Sequence, residues 1–276
     1  MTTATLNGIR LSYYEQGAGE PVVLVMGTGS GARAWNLHQV PALVAAGYRV
    51  VTFDNRGIPP TSECAGGFTL HEMVDDVLAL VDHLHIAPAR FVGTSMGAAI
   101  VQELALRRPD VVRQAVLMAT RARSDVARSA LARAELALAD SGAKLPPEYQ
   151  AVVRAMQSLS PKTLLDDAAV ADWLDVMEFS EPSGPGLRAQ LALDPLPDRL
   201  AAYRSISVPC HVISFADDLI TPPEHGREVA DAIPGASHEL FQDCGHYGYL
   251  ENPEGINRSI LAFFQRPASS APLRSH

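Results

Sequence analysis

The sequence predicts an α/β fold in which a mostly parallel sheet is flanked by helices and interrupted by an inserted helical segment. Three observations predict it. Short apolar runs of strand length recur along the chain with helix-period stretches between them, the pattern of repeated strand–helix–strand units. Residues 121–206 break that alternation and hold only helical periodicity. With 276 residues, 47% of them hydrophobic, the chain is long and apolar enough to bury the core that such a sheet requires.

The elements follow in order. "TATLNGIRLSYYEQ" reads as two short strands joined at Asn7-Gly8, because this pair accepts the positive φ angles of a tight hairpin turn. "PVVLVM", "YRVVTFD" and "RFVGT" read as buried strands, as do "AVLMAT" (115–120), "CHVISFA" (210–216) and "HELFQD" (238–243). Helices are expected over 35–46, 70–84, 96–107, 224–233 and 253–264. The segment 121–206 is rich in Ala, Leu and Arg and is broken at "LPPEY", "SP" and "EPSGPG"; it is too long for a simple crossover. The expected organisation is therefore a core formed by 1–120 and 207–266, a helical cap over 121–206, and a disordered tail at 267–276.

Composition narrows the function. The net charge of −9 disfavours nucleic acid as a partner, since that binding depends on neutralising phosphates. No apolar stretch approaches the roughly 20 residues of a membrane span, and the N-terminus lacks the basic and apolar regions of a secretory signal. The three cysteines, Cys64, Cys210 and Cys244, are scattered and match no metal spacing, which fits a reduced, cytoplasmic setting. A small molecule is the expected partner, with no metal or cofactor.

Chemistry is concentrated in "FVGTSMGAAIVQELAL". Gly93-Thr94-Ser95-Met96-Gly97 fits G-x-S-x-G between a strand and a helix. A serine on so tight a turn needs small neighbours two residues away on each side, and the turn then exposes its oxygen at a helix N-terminus, where negative charge is favoured. A nucleophilic serine needs a base, and the base needs an orienting acid. "SFADDLITPP" and "FQDCGHYGYLENPE" both follow late strands and supply Asp218, with Asp217 as its neighbour, and His246.

These residues resemble the α/β-hydrolase superfamily, of the kind with a helical cap after the sixth strand. The similarity spans about residues 5–265: "GTSMG" as the nucleophile elbow, Asp218 to Pro222 as the D-x-x-x-P acid loop, "CGHYGYLENPE" as the histidine loop, and "FDNRG" after the fourth strand. The D-x-x-x-P register selects Asp218 over Asp217. The resemblance implies that Ser95, His246 and Asp218 are catalytic and that the Thr28 and Met96 amides form an oxyanion hole. Where the family usually carries His-Gly, this chain has Met26-Gly27, so the histidine is absent.

"VMGTGSGARAW" has a second reading. Gly27, Gly29 and Ala32 keep the G-x-G-x-x-G/A spacing and Asp54 closes the next strand, as in a dinucleotide site. Under the hydrolase reading these glycines let the loop pass close beneath Ser95. Gly27, Trp35, Tyr247, Trp173 and Met177 are the candidate pocket residues. The expected activity is a serine hydrolase cleaving an ester, lactone or thioester through an acyl-enzyme. The alternatives are a C–C bond hydrolase, an acyl-transfer or cyclisation enzyme on the same triad, an NAD-dependent oxidoreductase, and a non-catalytic ligand-binding protein.

Overall fold

The computed structural model describes residues 1–179, 184–193 and 196–266. Eight strands, β1 (Thr2–Leu6), β2 (Ile9–Gln16), β3 (Glu20–Val25), β4 (Tyr48–Phe53), β5 (Ala89–Thr94), β6 (Val112–Met118), β7 (Cys210–Phe215) and β8 (Ser237–Phe241), form one sheet in the order 1-2-4-3-5-6-7-8. β1 pairs antiparallel with β2, and β2 with β4; all other pairs are parallel. The hairpin turns at Asn7 (φ 45°) and Gly8 (φ 76°), the signs that Asn-Gly accommodates.

Helices α1 (Gln39–Ala45), α2 (Leu70–Leu84), α3 (Met96–Arg107), α10 (Pro223–Ala232) and α12 (Pro253–Phe264) cover the two faces of the sheet. Alternating strand residues feed two cores. Val23, Val25 and Phe91 pack with Val77 and Leu80 of α2 and Ile100 of α3; Val22, Leu24 and Val92 pack with Leu43 of α1 and Ile260 of α12. The helix expected over 35–46 is instead two pieces, a 3-10 turn (Ala32–Leu37) and α1. Pro41 gives the reason: a proline ring in mid-helix clashes with the carbonyl four residues back, so the helix starts just ahead of it.

Between β6 and β7 the described residues hold only helices: α4 (Val126–Ser141), α5 (Pro147–Ser158), α6 (Pro161–Leu164), α7 (Asp167–Phe179), α8 (Pro185–Leu191) and α9 (Leu200–Tyr203). The last of these departs from the rest. α9 packs on α3 and α10, Tyr203 and Ile206 are buried in the main core, and Arg199 and Tyr203 both bond Glu103 of α3. The tail expected at 267–276 lies outside the described residues. One further helix, α11 (Gly248–Glu251), follows β8.

The loop after β4 is fixed by a buried ion pair. Arg56 donates two bonds of 2.6 Å to Asp76 of α2, and Asn7 adds a third to the same carboxylate at 2.8 Å. Arg56 and Asp76 are 4% and 3% exposed, so removing one partner strands a buried charge. Asp76→Ala is expected to lower unfolding stability by about 3–5 kcal/mol. A urea midpoint that moves down at unchanged m-value is the check.

Candidate active site

The candidate residues converge at the carboxyl ends of the parallel strands, where open α/β sheets form their crevices. Ser95 follows β5 and heads α3. Its backbone sits at φ 56°, ψ −121°, a region that costs a non-glycine residue energy. Gly93 and Gly97 show why the flanking positions are glycine. A Cβ on Gly93 would overlap the Gly97 carbonyl, and one on Gly97 would overlap the Val25 carbonyl of β3. Strand β3, strand β5 and helix α3 thus meet backbone to backbone, and the serine side chain is turned out of the packing.

His246 lies between β8 and α11 and is 8% exposed. Its Nε2 is 3.1 Å from Ser95 Oγ, and its Nδ1 is 2.8 Å from Asp218 Oδ2. A proton on Nδ1 satisfies both contacts, donating to the carboxylate and leaving Nε2 to accept from the serine. Asp218 is held by its own loop: Oδ1 accepts the Ile220 and Thr221 N–H groups at 2.8 Å each, and Oδ2 accepts the Thr221 hydroxyl at 2.7 Å. Burial pushes the Asp218 carboxyl up, but the charge and hydrogen bond of His246 and the bonds from Thr221 outweigh it and hold the group below its ordinary value. Asp217 does not reach His246; its N–H donates to the Cys244 carbonyl.

Thr28 and Met96 sit side by side next to Ser95. The Thr28 hydroxyl donates to the Met96 sulfur at 3.6 Å. Met96 is the first residue of α3, where helix amides have no intrahelical partner. Gly27 runs under the serine: a Cβ there would stand 3.1 Å from Ser95 Cβ and 3.3 Å from the Thr94 carbonyl oxygen. Asp54, the acid of the dinucleotide pattern, is 4% exposed and accepts the Ala32 N–H at 2.8 Å, so one of its oxygens ties down the end of this loop. Met26 is buried, its sulfur accepting the Tyr249 hydroxyl.

A cleft of about 1800 Å³ opens over Ser95 and His246, and Tyr247, Trp173 and Met177 all line it. Tyr247 stacks on Trp173 of α7, with ring centroids 6.0 Å apart. Trp35 corrects the sequence reading. It is fully buried in the core and packs on Tyr249 rather than lining the cleft, because the 3-10 turn after the loop points its indole back under the sheet.

Two polar residues that sequence reasoning passed over hold the site's loops. Glu251 of α11 accepts the Gly245 N–H at 2.7 Å and, with its other oxygen, the Ser160 N–H and the Ser160 and Thr163 hydroxyls. It thereby joins the histidine loop to α6. Gln190 of α8 accepts the Gly29 N–H at 2.8 Å and donates to the Arg56 carbonyl at 2.8 Å. Glu251 had a faint signal, an acid inside the apolar "YGYLEN"; Gln190 in "LRAQLAL" had none.

Comparison with known proteins shows the family and the fold. A family model described as an alpha/beta hydrolase fold matches residues 20–253. The chain is 52% identical over 257 residues to BpoC of Mycobacterium tuberculosis, whose name provisionally calls it a non-heme bromoperoxidase; the match covers 93% of this chain and 98% of BpoC. The crystal structure of BpoC superposes with a TM-score of 0.90, covering 92% of this chain and 95% of that one at 51% identity. A 3-oxoadipate enol-lactonase of Acinetobacter baylyi is 26% identical over 264 residues, 96% of each chain. A 2-hydroxymuconate semialdehyde hydrolase of a Pseudomonas strain is 28% identical over 278 residues, 96% of this chain and 94% of its own.

The elbow's close packing is testable apart from catalysis. Gly97→Ala must push β3 and α3 apart, and is expected to cost roughly 1–3 kcal/mol or more. Gly66→Ala, where an added Cβ meets nothing within 4 Å, should stay within about 0.5 kcal/mol. Thermal or urea unfolding of the two variants side by side decides this.

Proposed function

The chain belongs to the α/β-hydrolase family, and from that premise we propose that it is a serine hydrolase that opens an ester, lactone or thioester of a small, partly apolar substrate. The relay of hydrogen bonds from Asp218 through His246 to Ser95, with the serine held in a strained turn, supports this above all. His246 Nε2 takes the Ser95 proton as Oγ attacks the acyl carbon, and Asp218 stabilises the imidazolium that forms. The Thr28 and Met96 amides receive the negative charge that develops on the former carbonyl oxygen. His246 returns the proton to the leaving group. Water, deprotonated by the same imidazole, then releases the acid and frees Ser95.

Helices α4 to α8 act as the cap, and α4, α5, α7 and α8, with Tyr247, supply the apolar walls that select the acyl group. The enol-lactonase and the semialdehyde hydrolase among the relatives keep a cyclic ester and a C–C bond within the candidate substrate classes. All three cysteines are free, which fits a cytoplasmic enzyme. Among the described residues no helix is long and apolar enough to cross a membrane.

The similarity to BpoC favours a second outcome on the same intermediate. Hydrogen peroxide attacks the acyl-enzyme in place of water, the acyl–Ser95 bond breaks, a peracid leaves, and the Ser95 oxygen regains its proton. The peracid then oxidises bromide away from the protein. Bromination of an indicator dye that needs ester, peroxide and Ser95 together supports this route; bromination that persists in Ser95→Ala removes it.

Two measurements test the hydrolase itself. Ser95→Ala is expected to lose at least about 10⁴-fold in kcat and all labelling by a fluorophosphonate, since triad members act as a unit. Near-normal turnover of an ester, lactone, thioester and C–C substrate panel by that variant would end the covalent mechanism. Asp218→Asn is expected to lose about 10⁴-fold, as an orienting amide can stabilise the wrong imidazole tautomer. Asp217→Asn should stay within a few-fold of the parent, and a larger loss at Asp217 would reverse the assignment.

A further inference from the structure

We infer that Gln190 of helix α8 is a positioning residue for the oxyanion loop, so that the helical insertion supplies part of the catalytic geometry as well as the walls of the cleft. This rests on the serine-hydrolase reading above and goes beyond it.

The loop from Gly27 to Gly31 holds three glycines in five residues, with Gly29 at φ 71°. Left to itself such a segment samples many conformations, and aiming one of its amides at a reacting oxygen would be entropically costly. Its internal bond, Ser30 N–H to the Gly27 carbonyl, is long at 3.4 Å. External bonds do the fixing. Asn55 donates to the Met26 carbonyl at 2.8 Å, which pins the peptide between residues 26 and 27. Gln190 Oε1 accepts the Gly29 N–H at 2.8 Å, which pins the peptide between residues 28 and 29. The peptide between them carries the Thr28 N–H, the proposed oxyanion donor. Its own carbonyl, that of Gly27, accepts the Ser30 N–H, and with both flanking planes held as well that weak bond is enough to favour one direction.

Gln190 is suited to this. It is 2% exposed, and its Nε2 donates to the Arg56 carbonyl at 2.8 Å. Flipping the amide would set N–H against N–H and carbonyl against carbonyl, so only one orientation satisfies both neighbours. Each partner is itself anchored. Arg56 is bonded to buried Asp76. The α8 backbone lies directly on the loop after β4: a Cβ on Gly186 would overlap the Gly57 carbonyl, and one on Gly57 would stand 2.7 Å from the Gly186 carbonyl oxygen. A continuous set of contacts therefore runs from Asp76 through Arg56 and Gln190 to Gly29 and the Thr28 amide.

The test uses the full chain with active sites counted by fluorophosphonate titration. Gln190→Met keeps length and removes both hydrogen bonds. We expect kcat per titrated site to fall about 10–100-fold, somewhat below the cost of deleting an oxyanion donor outright, while KM changes less than about 3-fold. Affinity for a boronic acid that mimics the tetrahedral intermediate should fall by the same factor as kcat. Gln190→Glu keeps the acceptor for the Gly29 N–H, but when ionised sets a carboxylate against the Arg56 carbonyl. Protonated, it restores both bonds, and burial at this position disfavours the ionised form. Its kcat relative to the parent should therefore recover as pH is lowered from 8 to 6. A kcat per titrated site within 2-fold of the parent in Gln190→Met, a loss seen only in melting temperature, or a flat pH ratio for Gln190→Glu overturns the proposal. If Gln190→Met does not fold, the Gln190→Glu pH ratio alone decides. Retained turnover in Ser95→Ala, by contrast, sinks the hydrolase reading whatever Gln190 does.

Discussion

The architecture of the site depends on one steric constraint: three backbones share a space in which none can carry a side chain. β3, β5 and the start of α3 meet at Gly93, Gly97 and the Val25 carbonyl. β3 and β5 are parallel neighbours in a register that places Val25 opposite Gly93. Two residues further on, just past the ends of both strands, Gly27 lies against Ser95, which is why the loop after β3 runs beneath the serine. The sheet register, and not the loop sequence alone, brings Thr28 and Met96 together beside Ser95.

The helical insertion is tied to both loops that build the site. On the histidine side, the Ser158 carbonyl accepts the Tyr247 N–H at 3.0 Å, and Glu251 joins Gly245 to Ser160 and Thr163. On the serine side, Gln190 and Gly186 hold α8 against the loops after β3 and β4. At its entry, Asp125 caps α4 and contacts His225 of α10 at 2.9 Å. Fastened at these three places, the insertion and the loops around Ser95 and His246 form one structure, and the cleft lies between their walls.

Much of this was legible in the sequence because it depends on local pattern. Strands such as Tyr48–Phe53 and helices such as Leu70–Leu84 and Met96–Arg107 follow from apolar runs, caps and period. Ser95, Asp218 and His246 could be read because each sits in a short motif whose spacing is itself set by backbone sterics. Trp35 was misread because position in sequence does not reveal which way a 3-10 turn faces. Gln190 was not legible at all, and Glu251 only as an acid in an apolar stretch, with no sign of its partners. Each acts by joining segments far apart in the chain, Gln190 across 161 residues to Gly29 and Glu251 across 91 to Ser160, and no local pattern encodes such a partner.

Helix α8 has two sides with different freedom to vary. Gly186 and Gln190 are four residues apart and so share one face, the one pressed on the core loops. Leu187 and Leu191, also four apart, line the cleft on the adjoining face. Substitutions at 187 and 191 change the shape of the cleft without touching the close contact at Gly186 or the hydrogen bonds of Gln190. The helix thereby separates preference from competence, and a lineage or a designer can retune what is accepted at one face while the other keeps the machinery in place.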